Sequence, residues 1–398
     1  MSGASIGLLL VLVLLPPTAV DAATNANAYV TNSFASTVSV INTTNNSLVA
    51  TISGFHSPNG AAITPDGTSV YVANSEAVPG TVAVINTATN TITATILAGS
   101  GPVAVAASPD GKHIYVTNQG DSTVAVINTA TNTVSATVGI GGIPLGAVVT
   151  PDNAHVYLTL VSGKVAVVST ASNTVSATIT DASLVLPGLL AVTPDGKTVY
   201  VADLAGNSVT VIDTATNTVK TTITVGQIPF GLAVTPDGAN LYVANGGDST
   251  VSVIATVSNT VTLTILGFNG PEGVAITADG KNVLVANNIG NSVAIITTAT
   301  NTVSATIPVG LAPVVVAVQM PQPAQNVCTS DDDDDDHDKD RDRDHHDHDK
   351  DRDHDRDHQR RHHDPKQDCD SGKDKDRDDH HHDDDDHGHR DHHDGGHI

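Results

Sequence analysis

The chain has 398 residues, of which 15% are charged, and it contains six Tyr, four Phe and no Trp. The net charge of −25 is unevenly placed, because residues 331–398 hold 29 Asp, 13 Lys or Arg and 16 of the 19 His, whereas the first 330 residues hold 14 acids and five Lys. Nucleic acids and anionic membranes are bound mainly through Lys and Arg, so this composition argues against either as the main partner.

The N-terminal segment has the pattern of an export signal. A continuous apolar run over residues 8–15 precedes Pro16 and Pro17, and Val20-Asp21-Ala22 fits a small-residue cleavage site. The run is too short to cross about 30 Å of hydrocarbon, although a short N-terminal membrane anchor is an alternative. We predict a signal peptide over 1–22, a linker over 23–28, and a secreted protein that is extracellular, at the cell surface or in the periplasm, with no transmembrane segment in the mature chain.

One unit recurs seven times over residues 29–320, beginning at residues 29, 71, 115, 157, 200, 242 and 284. Each unit contains four short Val-, Ile- and Thr-rich segments, joined by turn sequences such as Asn-Thr-Ala-Thr-Asn and Thr-Pro-Asp-Gly. A period of 42 to 44 residues with four strands is typical of a β-propeller blade. Tandem sandwich domains are the alternative, but they need about 100 residues each.

The phase of the repeat predicts how the ring closes. The Gly-x-Ala-Val-Thr segment of each unit is expected to be the innermost strand, so the chain begins with a second strand at Tyr29 and ends with an unpartnered inner strand at residues 314–319. We therefore predict an all-β, seven-bladed propeller of four-stranded blades, in which the C-terminal inner strand completes the N-terminal blade and hides two open edges.

The repeat residues resemble a known family. Tyr-Val-Thr-Asn at 29–32 and 115–118, Tyr-Val-Ala-Asn at 71–74 and 242–245, and the Thr-Pro-Asp-Gly turns are similar to the YVTN family of β-propeller repeats. The resemblance implies an exported, surface-layer-like propeller, and it implies little about activity because these residues build the fold.

The loops entering the inner strands contain few groups suited to catalysis. Their variable positions are Asn59, Val103, Leu145, Gly188, Phe230, Glu272 and Val314, of which Glu272 alone can titrate. Asn59 and Glu272 are the candidates at the channel mouth, where they are expected to face each other and to hold a cation weakly. His56 is expected at the opposite end of the ring from His113 and His155, so these residues predict no shared metal site. We predict no catalytic residues, no required cofactor and no enzymatic activity.

The remaining charges define a weakly acidic face. Its members are Glu76, Asp121, Asp181, Asp203, Asp248 and Glu272, against Lys164. We interpret it as a solvated surface, with docking of a basic or cationic partner as the alternative.

The C-terminal segment, residues 321–398, is predicted to be a disordered tail because it has little to bury. Its interleaved Asp and His are ligand types for Ca, Zn or Ni ions. The candidate ligands are His337, His345, His346, His348, His354, His362, His363, His380, His381 and His382. Cys328 and Cys369, the two cysteines of the chain, are candidates for a disulfide, with intermolecular pairing as the alternative.

The sequence thus favours a non-catalytic scaffold that binds an unknown protein or cell-surface partner, with a tail able to recruit divalent cations. The alternatives are a lactonase-like propeller hydrolase with a site at one channel mouth and a self-assembling surface-layer component.

Overall fold

The computed structural model describes residues 26–319. The predicted signal peptide, residues 23–25 of the predicted linker, the tail with its ten candidate histidines, and Cys328 and Cys369 lie outside these residues. Within them, 28 strands form seven four-stranded antiparallel sheets, which are the blades of a propeller. The described residues contain no helix with the length and hydropathy needed to cross a membrane.

The strands of each blade follow one another outward from the central channel. The inner strands are β4 (Pro58–Ile63), β8 (Pro102–Ala107), β12 (Pro144–Val149), β16 (Pro187–Val192), β20 (Pro229–Val234), β24 (Pro271–Ile276) and β28 (Pro313–Val318). The second strands are β1 (Asn27–Asn32), β5 (Ser69–Asn74), β9 (His113–Asn118), β13 (His155–Leu160), β17 (Thr198–Asp203), β21 (Asn240–Asn245) and β25 (Asn282–Asn287). The third strands are β2 (Thr37–Asn42), β6 (Gly80–Asn86), β10 (Thr123–Asn128), β14 (Lys164–Ser169), β18 (Ser208–Asp213), β22 (Thr250–Ala255) and β26 (Ser292–Thr297). The outer strands are β3 (Ser47–Ser53), β7 (Thr91–Gly99), β11 (Thr133–Gly139), β15 (Thr174–Thr180), β19 (Thr218–Thr224), β23 (Thr260–Leu266) and β27 (Thr302–Pro308).

The first blade consists of β28, β1, β2 and β3, so strands from both ends of the described chain share one sheet. Tyr29 of β1 pairs with Ala317 of β28, and the Gln319 N–H donates to the Asn27 carbonyl at 2.8 Å. The predicted seven-bladed fold and its closure are therefore confirmed, with the closing strand beginning one residue earlier than expected. The second to seventh blades begin at β4, β8, β12, β16, β20 and β24.

The core lies between blades rather than within one. Each of seven apolar clusters joins side chains of two adjacent blades, such as Tyr29 and Val40 of the first blade with Val70 and Ile85 of the second. The second and third strands are consequently buried on both faces, which explains their near-continuous Val, Ile and Ala content. Burial of these apolar surfaces is the main stabilising contribution.

The repeated tyrosines tie neighbouring blades together. The Tyr29 hydroxyl donates to Asn90 Oδ1 of the second blade at 2.8 Å, and Tyr71 donates to Asn132 Oδ1 of the third at 2.6 Å. These asparagines occupy turn positions with positive φ, which Asn tolerates well. The tyrosine row therefore has a structural role.

Candidate functional site

The central channel is apolar. All seven inner strands contribute to a cavity of about 420 Å³ on the axis, which is lined mainly by Val, Leu, Ala and Gly residues. Asn59, Ser75 and Gln119 are its polar side chains. The inner strands all begin at the same end of the channel, which we call the front. The loops at this end include those that vary most between repeats.

A second cavity of about 350 Å³ lies at the front, beside the sixth and seventh blades, and it contains Glu272. Its wall includes Ile228 and Phe230 of the sixth blade, Leu204 of the fifth, and Asn288 and Ile289 of the loop between β25 and β26. Phe230 lines the central cavity as well, so this residue borders both spaces. Glu272 is the titratable residue of this wall.

Glu272 is held in place by close contact between inner strands. It is the second residue of β24, at a bulge where the pairing with β25 shifts between Pro271 and Val274. A Cβ on Gly231 of β20 would lie 2.1 Å from the Glu272 carbonyl oxygen, a distance that real Cβ atoms do not reach. Glycine at 231 therefore allows the inner strands of the sixth and seventh blades to approach closely and fixes the Glu272 backbone.

The surroundings of Glu272 disfavour its charged form. Burial raises the pKa of the Glu272 carboxyl from 4.5 to about 7. Among residues 26–319, no hydrogen bond to this carboxyl offsets the loss of water, and its wall has no cation. At neutral pH the group is thus divided between the carboxylate and the acid, which is the condition under which a carboxyl group accepts and returns protons most effectively.

The raised pKa predicts that Glu272→Gln stabilises the fold at alkaline pH. The unfolded chain loses this proton near pH 4.5 and the folded chain near pH 7, so wild-type stability should fall through this window and the full penalty should apply above it. We expect the variant to be about 2 kcal/mol more stable at pH 8, after allowance for partial exposure, and equal to wild type at pH 4. Urea unfolding at both pH values checks this, and an advantage for the variant that does not depend on pH would contradict it.

Asn59 and Glu272 do not face each other across the channel. Asn59 is on β4 of the second blade and Glu272 on β24 of the seventh, so the closing strand β28, with Val314, lies between their strands. The two residues also line different cavities. The closed order of the ring thus separates two groups that the sequence analysis placed together as a weak cation site.

The three histidines of the described chain are dispersed. His56 is exposed in the loop before β4, whereas His113 and His155 are the first residues of β9 and β13. Within residues 26–319, no three His, Cys, Asp or Glu residues are grouped so that they could hold a metal ion.

Several acids of the front face stabilise loops. Asp203 is fully buried, and its carboxylate accepts hydrogen bonds from the N–H groups of Val185 and Leu186 at 2.8 and 2.9 Å. Asp121 and Asp248 likewise accept hydrogen bonds from backbone N–H groups of neighbouring loops. The interpretation of Asp203 as a surface charge is therefore wrong, because it replaces the strand-ending Asn of other repeats and caps the longer loop before β16.

Sequence reasoning identified Glu272 but missed the residues around it. Leu204, Ile228 and Ile289 are apolar at loop positions that vary from repeat to repeat, and Asn288 lies beside Ile289. The available signal was the occurrence of large apolar residues in loops of the fifth and seventh units. Their convergence depends on the curvature of the ring, which the repeat pattern does not specify.

Comparisons with known proteins connect this region to an enzyme family. The profile of a family described as lactonase, seven-bladed β-propeller, matches residues 147–274, a stretch that includes Glu272. No curated protein matches the chain.

Solved structures share the fold. The chain is similar to hydrazine synthase of Kuenenia stuttgartiensis, with a TM-score of 0.61 and 21% identity over 68% of this chain and 92% of that one. A functionally unknown protein from Desulfotomaculum acetoxidans has a TM-score of 0.66 and 20% identity, over 74% and 99% of the two chains. A candidate 6-phosphogluconolactonase from Bacteroides uniformis has a TM-score of 0.64 and 16% identity, over 74% and 99%.

The prediction that the protein is not an enzyme is wrong. It is contradicted by the lactonase match and by the likeness to a candidate 6-phosphogluconolactonase. The prediction required several ionisable groups at one channel mouth, whereas the structure presents a single carboxyl group in an apolar cavity with a pKa suited to proton transfer.

Proposed function

We propose that this propeller hydrolyses lactones at the front of its channel, with Glu272 as the general base. The observation that carries the proposal is the placement of one carboxyl group among apolar side chains in a cavity of about 350 Å³, inside the region that matches the lactonase family. A cavity of this size is within the usual range for small-molecule sites.

The reaction needs one proton acceptor that later becomes a donor. The Glu272 carboxylate takes a proton from a water molecule as the water oxygen bonds to the lactone carbonyl carbon. The tetrahedral intermediate then collapses, the bond between the carbonyl carbon and the ring oxygen breaks, and Glu272 returns its proton to that oxygen. One water is consumed, the product is a hydroxy acid, and the base is regenerated.

Asn288 is the other polar side chain at this cavity. Its Nδ2 donates to the Pro313 carbonyl at 3.4 Å, which is a long hydrogen bond and leaves the second N–H of the amide for another acceptor. We assign it the role of donating to the lactone carbonyl oxygen, where negative charge develops during attack.

The YVTN-type repeats are compatible with this activity. The repeat residues build the blades, whereas the second residue of each inner strand is free to differ, and in the seventh blade it is Glu272. The lactonase proposal therefore needs no change to the repeat.

The test is hydrolysis of unsubstituted and alkylated γ- and δ-lactones by the purified protein near pH 8, followed by titration of the released acid. We expect saturable turnover above the buffer rate, because most Glu272 is ionised at this pH. If the protein hydrolyses none of these lactones, the proposed function is refuted.

A further inference from the structure

The charge of the site restricts its substrates. Residues 26–319 contain five lysines and no arginine. Lys112, Lys197 and Lys281 pair with aspartates of the turns behind the inner strands, and Lys220 pairs with Asp213 at 2.7 Å. The fifth, Lys164, begins β14 of the fourth blade. None of them lines either cavity.

An anionic substrate would therefore enter the Glu272 cavity without a cationic partner and beside a carboxyl group. Burial of an unpaired charge in apolar surroundings is strongly unfavourable. A phosphate or carboxylate substituent on the lactone should consequently weaken binding rather than anchor it.

The apolar wall of the cavity favours binding of an uncharged, apolar group. Leu204 and Phe230 are partly buried, and Ile228 and Ile289 remain 51% and 68% exposed at the rim. These side chains present apolar surface that a ligand would cover. Phe230 also borders the apolar central cavity, so a chain bound beside Glu272 has further apolar space next to it.

We propose that the preferred substrates are uncharged lactones that carry an aliphatic chain, with the ring at Glu272 and the chain against Leu204, Phe230 and Ile289. This inference rests on the proposed function. It adds that specificity comes from burial of the chain, because each methylene removed from water contributes a similar amount of binding free energy.

The experiment compares δ-valerolactone with its methyl, propyl and pentyl derivatives and with a carboxylate-bearing derivative of similar size. We expect kcat/KM to rise about threefold to fourfold for each added methylene until the cavity is full. The carboxylate derivative should be hydrolysed about 100-fold less efficiently than the propyl lactone.

A variant that introduces a positive charge tests the substrate preference independently. Ile289→Lys places a cation at the rim and should raise kcat/KM for the carboxylate lactone about tenfold while lowering it for the pentyl lactone. Val257→Lys is the matched control, because Val257 is 96% exposed in the turn between β22 and β23, at the back of the ring, and its replacement should change neither value.

The outcomes separate the two proposals. Equal kcat/KM values for lactones with every length of aliphatic chain would overturn the substrate assignment but not the lactonase proposal. A preference of the wild-type protein for the carboxylate lactone would have the same consequence. Failure to hydrolyse every lactone in the series would overturn both.

Discussion

Replacing Glu272 by Gln is expected to lower kcat for lactone hydrolysis by about a hundredfold to ten-thousandfold, the range that a positioned general base contributes. The substitution keeps the shape of the side chain and removes its capacity to accept a proton. KM should change little, because the apolar wall that binds the substrate is untouched. Steady-state kinetics on an alkylated lactone measures both quantities.

The chain provides a matched control for this variant. Glu76 is the other glutamate of the sequence, and it is exposed in the loop between β5 and β6, away from the Glu272 cavity. Glu76→Gln makes the same chemical change and should retain wild-type kcat. Equal activity of Glu272→Gln and the wild type would show that the carboxyl group takes no part in the reaction. An equal loss of activity in Glu76→Gln would indicate a general effect of charge.

A chain that ends at Gly310 should lose cooperative folding of the whole ring. The truncation removes β28, and with it Val316 of the core cluster between the seventh and first blades and the hydrogen bond from Gln319 Nε2 to the Gly67 carbonyl at 2.7 Å. The edge of β1 and the facing sides of β24 and β4 would be exposed together. We expect a loss of about 5 kcal/mol or more, comparable with the entire stability of many domains.

Thermal unfolding followed by circular dichroism checks this expectation. A chain that ends at Asn326 retains β28 and should melt like the full-length protein, so it serves as the control for removal of the tail. A normal melting transition in the chain that ends at Gly310 would show that closure by β28 is dispensable.

The propeller could be predicted because its determinants are local and repeated. In each unit, β-branched residues indicate the strands, and Asn, Asp, Gly and Pro indicate the turns. Because the pattern occurs seven times, an irregularity in one unit does not obscure it. Closure followed from the phase of the repeat, since a chain that begins on a second strand must supply the missing inner strand from its other end.

The site was less predictable because it depends on distances across the ring. Glu272 was visible as a break in the repeat, but the wall formed by Leu204, Ile228 and Ile289 comes from three different blades. Burial raises the pKa of Glu272, and the cavity in which it lies includes side chains that are distant in sequence. The separation of Asn59 from Glu272, by contrast, could have been inferred from the sequence, because the predicted closing strand β28 lies between their strands.

The most direct test of the account is the pH dependence of kcat/KM for an alkylated lactone, measured on the wild type and on Glu272→Gln. The account predicts that wild-type kcat/KM rises with pH through a midpoint at about 7, as the carboxyl group loses its proton, and that this rise is absent from the variant. A wild-type profile without this rise, or the same rise in Glu272→Gln, would contradict the claim that Glu272 is the base.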